Sequence, residues 1–214
     1  MTKPTLHISI GSTASYLQRN YLDRAETAAG ADARRVLAEL RQSAARSFDA
    51  DPLALQRVLM LLEPPLSDDE LGHTDKPSPS ELAAYNALTL FAQHMQSATK
   101  PAHTTDCSFA RACGRLQTLS ESNSIKPRFD AMQSARDEAS RVLHLRSLVT
   151  LLRSKELAFD YGSFARDLRS LQYPSRRDGV LLRWGRDYAV GTLRPKAQRA
   201  AEAEPDITSP FATS

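Results

Sequence analysis

Apolar positions in this chain return every three or four residues, the period of an amphipathic helix, and no stretch alternates as a strand would. The clearest start is Ser78-Pro79-Ser80-Glu81, a capping box with proline at the first helical position. The helix it opens runs to about Ala98, with Ala84, Tyr85, Leu88, Phe91, Ala92 and Met95 in one apolar stripe. Upstream, residues 1–12 have no clear period and read as a loose lead-in. A first helix is expected over Thr13–Ala29, with Tyr16, Leu17, Tyr21 and Ala25 near one face and Gly30 closing it. Asp32 is read as the cap of a second helix to about Ala45, with Val36, Leu37 and Leu40 inward and Arg34, Arg35 and Arg41 outside the seam. Asp51-Pro52 opens a short third helix that stops before Pro64-Pro65. Residues 64–79 then form an acidic, proline-rich loop open to motion, with Asp68, Asp69, Glu70 and Asp75 in it and Glu63 just before.

Downstream, a helix is expected from about Asp106 to Leu119, followed by a turn at Ser120–Ser124. Lys126–Arg153 holds two apolar-periodic segments joined at Asp137-Glu138, the second placing Val142, Leu145, Leu148, Val149 and Leu152 on one face. Asp160 caps a helix carrying Phe164, Leu168 and Leu171. The last helix opens at Pro174, with Ser175 and Asp178 spaced like a capping box, and buries Val180, Leu181, Trp184 and Tyr188. From Gly191 the pattern stops, and residues 191–214 read as a disordered tail. The expected fold class is all-α: a helical bundle of about eight or nine helices with no sheet. Two packed lobes are expected, residues 1–100 (with the acidic loop 64–79) and residues 101–190.

Charge divides this picture. Residues 111–194 carry 16 Lys+Arg against 9 Asp+Glu, whereas residues 1–110 carry 10 against 13, so the net charge of +3 hides a basic C-terminal half. Fourteen of those 16 cations are arginine, whose planar fork suits phosphate. Arg146 and Arg153 lie seven residues apart at one edge of their helix, and Arg176 and Arg183 repeat the spacing on the last helix with Arg186 beside them. Together with Arg128 these six are the leading candidates for nucleic-acid contact. Arg34, Arg41, Lys126, Arg136 and Arg177 form a second set. The competing readings are a solvated helix rim, with local pairs such as Arg183 and Asp187 four residues on, and a purely architectural subunit whose arginines meet acidic protein surfaces.

Other chemistry finds less support. His94, His103 and Asp106 are the residues a small metal-dependent nuclease would use, yet no Glu-x-x-His or paired acidic motif accompanies them. Trp184 and Tyr188 share a helical face with Val180 and are read as core. Cys107 and Cys113 have no partner at metal spacing and suit a reducing cytoplasm. The uncharged run Leu82–Thr99 contains Asn86, Gln93, His94 and Gln96, so it is read as a core helix and not a membrane span. No cofactor is expected.

Several stretches, in their order, resemble a known family. They are Gly30 with Leu37-Ala38-Glu39-Leu40-Arg41, then Ala87 to Ser97 (ALTLFAQHMQS) with Pro101 and His103, and Arg128-Phe129. After these come Leu145-Arg146-Ser147-Leu148-Val149 with Leu151-Leu152, Asp160-Tyr161 with Ala165-Arg166-Asp167-Leu168, and Arg183-Trp184-Gly185-Arg186-Asp187-Tyr188. Over most of residues 30–190 the chain is similar to the small-subunit (CasB) family of Cascade, the type I-E CRISPR surveillance complex. It departs at Gln42, where the family often has a second arginine, which weakens a phosphate role there. The resemblance implies an α-helical, non-catalytic protein present as two copies beside the large, backbone and crRNA-processing subunits. Such a protein helps to hold crRNA and target DNA, while cleavage belongs to a separate recruited helicase-nuclease. Sequence is then read by base pairing, so this chain needs only sequence-blind backbone contacts.

Overall fold

The computed structural model describes residues 5–44, 52–120 and 124–193. The expected cap at Asp51, the end of the second helix at Ala45 and the tail beyond Leu193 lie outside them. Among the described residues there are nine α-helices: α1 (Leu6–Asp23), α2 (Ala28–Ala44), α3 (Pro52–Leu61), α4 (Pro79–His94), α5 (Phe109–Leu119), α6 (Ile125–Ser134), α7 (Glu138–Ser154), α8 (Tyr161–Leu171) and α9 (Pro174–Gly191). The described residues contain no strand; one isolated parallel bridge joins His103 to Phe159. The all-α class is therefore observed.

α4 sits at the centre and packs on α1, α2, α3, α7 and α8. Its capping box is complete: Ser78 Oγ accepts from the Glu81 amide at 3.1 Å, and the Ser78 amide donates to Glu81 Oε2 at 2.6 Å. The predicted stripe of α4 is wholly buried, and the burial extends to nearly every other side of the helix. Asp160 caps α8 as expected, accepting from the Ser163 amide, and Asp137 caps α7 in the same way through the Ser140 amide.

The apolar core runs as one cluster from Leu6 to Tyr188. Its aromatic heart links Phe91, Phe109, Phe159, Tyr161, Phe164 and Trp184, with ring centroids of Phe159 and Tyr161 4.2 Å apart. Trp184 and Tyr188 are core residues, as read from their spacing; the Trp184 indole donates to Asp167 Oδ2 at 2.7 Å. The α5–α9 pair packs closely because Gly114 and Gly191 face each other. A Cβ on Gly114 would overlap the Tyr188 carbonyl, and one on Gly191 would overlap that of Arg111.

Several expected boundaries move. α1 starts at Leu6, not Thr13, and ends before Arg24. Its buried face includes Ser9, Thr13 and Asn20 while Ile8 and Tyr16 are exposed, so polarity does not track burial along it. The break between α1 and α2 falls at residues 24–27, and Gly30 and Asp32 lie inside α2. Thr27 makes this corner: its hydroxyl donates to the Arg24 carbonyl at 2.7 Å and accepts from the Gly30 amide at 3.2 Å. α9 has Tyr173 at its N-cap with no side-chain cap, so the expected Ser175–Asp178 box is absent.

The acidic loop is tethered. It contains a 3-10 turn at Asp68–Glu70, and Glu70 Oε1 accepts from the Leu6 amide at 3.2 Å and from Arg169 Nη1 at 2.6 Å. Ser78 Oγ in turn donates to the Glu70 carbonyl at 2.6 Å.

Candidate nucleic-acid interface

Arg146 and Arg153 lie on α7, one above the other along its edge. Arg146 is half-buried, and its guanidinium has no hydrogen bond or ion pair with a described residue. Its carbonyl accepts from Gln93 Nε2 of α4 at 3.1 Å, which fixes α7 against α4. Arg153 Nη1 donates to Gln96 Oε1 at 2.6 Å and to the Gln93 carbonyl at 3.3 Å. From α2, Arg41 Nη1 approaches the adjacent Ala92 carbonyl at 3.5 Å, a weak contact. Two guanidiniums from distant parts of the chain thus meet on consecutive carbonyls at the C-terminal end of α4, where the helix dipole is negative. At the other end of this edge, Arg128 of α6 donates to Ser147 Oγ of α7 at 2.7 Å. Arg128, Arg146, Arg153 and Arg41 form a basic path across α6, α7, α4 and α2.

The α9 arginines do not join that path. α9 packs mainly on α5 and α8, whereas α7 packs on α4, α5 and α6. Arg183 reaches back to α8 and pairs with Asp167 Oδ1 at 2.5 Å; Asp187, expected as its partner, instead accepts from Ser108 Oγ at 2.6 Å. Burial pushes the Asp167 carboxyl above the usual carboxylate range, while Trp184, Arg183 and Arg166 pull against it. Arg176 stacks over the Tyr173 ring at 5.0 Å. Arg186 lines a groove between α6 and α9 without a described partner, and Arg136 is exposed at the α6–α7 corner, likewise without one.

In the second set, Arg34 donates to the Ala25 carbonyl at 2.7 Å and Arg177 to the Leu171 carbonyl at 3.2 Å. Lys126 pairs with Asp130 at 2.6 Å and lies 5.9 Å from the Tyr188 ring centroid. Arg34, Arg41, Arg153 and Arg177 therefore share one device, a guanidinium laid on a carbonyl at or just beyond a helix end.

Sequence spacing missed Arg141. It is 4% exposed, occupies the inward face where Val142 was expected, and donates to the Ala135 carbonyl at 2.7 Å, closing α6. Burial lowers its pKa, and the neighbouring Arg177 charge acts in the same direction. The signal available was a charged residue within an apolar period, which spacing alone assigns to the rim.

His94 is 2% exposed, shares a 3.1 Å hydrogen bond with the Tyr161 hydroxyl and stacks on Phe159. Burial, and then the Arg153 charge, push its pKa down to about 3. His103 Nδ1 accepts from the Tyr161 amide at 3.1 Å, while Asp106 is exposed and bonded through its own amide to Thr104. No group of three or more His, Cys, Asp or Glu among the described residues is placed to hold a metal ion. Cys107 and Cys113 are buried free thiols, and no helix among the described residues is long and apolar enough to cross a membrane.

The fold and surface define an all-helical protein built on one core and edged with arginines. The family model of CRISPR-associated protein Cse2 matches residues 36–188, and the chain belongs to that family. Among solved structures it is similar to CasB from Thermobifida fusca, at 25% identity with a TM-score of 0.67, over 87% of this chain and 99% of that one. No curated protein matches it.

Proposed function

We propose that the chain is the non-catalytic small subunit of a type I-E Cascade complex in the cytoplasm, serving antiviral defence. It holds crRNA and target DNA strands by sequence-independent backbone contacts and stabilises the R-loop. Its partners are the large, backbone and crRNA-processing subunits and a second copy of itself. Membership of the Cse2 family supports the assembly. The observation that carries the nucleic-acid role is the path Arg128–Arg146–Arg153–Arg41, in which Arg128, Arg153 and Arg41 each tie one guanidinium nitrogen to protein and leave the others without a described partner. These three arginines are held in place before any strand arrives, which lowers the ordering cost of binding. Arg183, Arg186 and Arg176 supply a second basic edge on α9.

Filter binding of labelled single-stranded DNA and RNA across a salt series tests the reading. Each lost phosphate contact lowers the log–log salt slope by about 0.7–0.9. Arg146→Ala and Arg186→Ala remove guanidiniums with no described partner, so the fold is expected to survive both. A double variant with wild-type affinity and slope overturns the assignment. Incubation with the same nucleic acids in Mg²⁺ or Mn²⁺ addresses the nuclease alternative: cleavage lost in His103→Ala would replace the non-catalytic reading.

A further inference from the structure

α3 and α4 are the most apolar helices among the described residues. α4 is enclosed, with 13 of its 16 residues buried. α3 is apolar on two sides but covered on one. Ala54 and Val58 face α4 and α2 with no exposure, while Leu53 is 62% and Met60 78% exposed. Between this outer face and the returning acidic loop lies a groove of about 430 Å³ whose lining is apolar but for Gln56: Leu55, Leu59, Met60, Pro65, Leu66 and Leu71. An apolar helix face is ordinarily covered, and an exposed apolar groove of this kind marks an interaction site.

The rim selects the occupant. Residues 63–76 carry five acids, Glu63, Asp68, Asp69, Glu70 and Asp75, against Lys76 alone. Glu70 is turned inward onto Arg169 and the Leu6 amide, which clamps the loop and preforms the groove. Glu63 and Asp68 are exposed and flank the lining residues Pro65, Leu66 and Leu71 along the chain. An acidic rim repels nucleic acid and anionic lipid alike, and it complements a helix with an apolar stripe flanked by Lys and Arg. We infer that the α3 groove receives a cationic amphipathic helix of another protein of the assembly. The inference rests on the subunit reading above, which supplies that assembly.

The chain is co-expressed with the other subunit genes of its own CRISPR locus, and the assembled complex is isolated by a tag on the large subunit. A photo-crosslinking p-benzoylphenylalanine at position 60 is expected to give an adduct mapping to a Lys/Arg-rich helix of a different subunit. Met60→Asp is expected to lower incorporation at least tenfold while Met60→Leu restores it, with the isolated chain's melting and DNA affinity unchanged. Glu63→Lys with Asp68→Lys is expected to weaken incorporation through charge alone. Undiminished incorporation of Met60→Asp overturns the inference, as does an adduct to nucleic acid or to a second copy of this chain. Failure of the wild-type chain itself to enter the complex strikes instead at the subunit reading, and the groove assignment falls with it.

Discussion

Acid should loosen the core at His94. The imidazole is 2% exposed, wedged between Phe159 and Tyr161, and its pKa lies at about 3 against an ordinary 6.5. Burial is the larger cause, because a charged ring would lose its hydration; the Arg153 charge at the end of α4 adds to it. The folded state therefore refuses a proton that the unfolded chain accepts below pH 6.5. With more protons bound by the unfolded state, stability rises with pH. The His94 contribution is complete above pH 6.5 and is lost progressively as pH falls from there toward 3. Each pH unit in that window is worth about 1.4 kcal/mol, so between pH 7 and pH 4.5 the His94 share of the loss is roughly 2–3 kcal/mol. Urea unfolding followed by the fluorescence of Trp184, the chain's single tryptophan, measures this at both pH values. His103, whose pKa burial also lowers, titrates in both wild type and variant, so the comparison isolates His94. In His94→Gln, which keeps a partner for the Tyr161 hydroxyl, the pH-dependent loss should shrink by that amount. An equal loss in variant and wild type would show that His94 is not the proton-refusing group.

Two further substitutions probe the fold directly. Gly114→Ala drives a methyl into the Tyr188 carbonyl at the α5–α9 crossing, and urea unfolding should show a loss of about 2–3 kcal/mol; a neutral result would mean the crossing yields freely. Ser97, beyond the end of α4, has φ of 56°, a left-handed conformation that strains an L-residue. Ser97→Gly should raise stability by about 0.5–1 kcal/mol after the larger entropy of the unfolded glycine chain is allowed for, and a lower midpoint would contradict the strain.

What could be read from spacing was what is settled within four residues. Ser78 and Glu81, Asp137 and Ser140, Asp160 and Ser163 are local pairs, so those helix starts fell where expected. α1 was misplaced because its buried face mixes Leu6, Ile10 and Leu17 with Ser9, Thr13 and Asn20, and the apolar Ile8 points outward. Among the arginines, spacing found the α7 edge but not what each guanidinium holds. Arg41 reaches Ala92 across 51 positions and Arg153 reaches Gln93 across 60, contacts that only the packing of α2, α4 and α7 creates. Family resemblance was legible for the same reason as the caps: its motifs are contiguous strings such as Ala87–Ser97 and Arg183–Tyr188.

Under the proposed role, the preference for arginine over lysine suits a double use, as helix cap and as strand contact. A guanidinium has five N–H donors in a rigid fork, so it can close a helix end and still offer donors outward; an ammonium gathers its three donors at one point and lacks the fork that spans acceptors set apart. Arg153 commits Nη1 to Gln93 and Gln96 and leaves Nε and Nη2 without a described partner, whereas Arg146 commits none. The two positions should therefore answer differently to lysine. Arg146→Lys keeps the charge and breaks nothing, so affinity for single-stranded DNA should change little. Arg153→Lys keeps the charge but cannot hold Gln96 and a phosphate together. Loss of one charge-assisted hydrogen bond, about 1.5 kcal/mol, predicts roughly tenfold weaker binding with the salt slope almost unchanged. If both lysine variants bind as the wild type does, the outward donors of Arg153 play no part in holding the strand, and its place at the end of α4 is that of a cap alone.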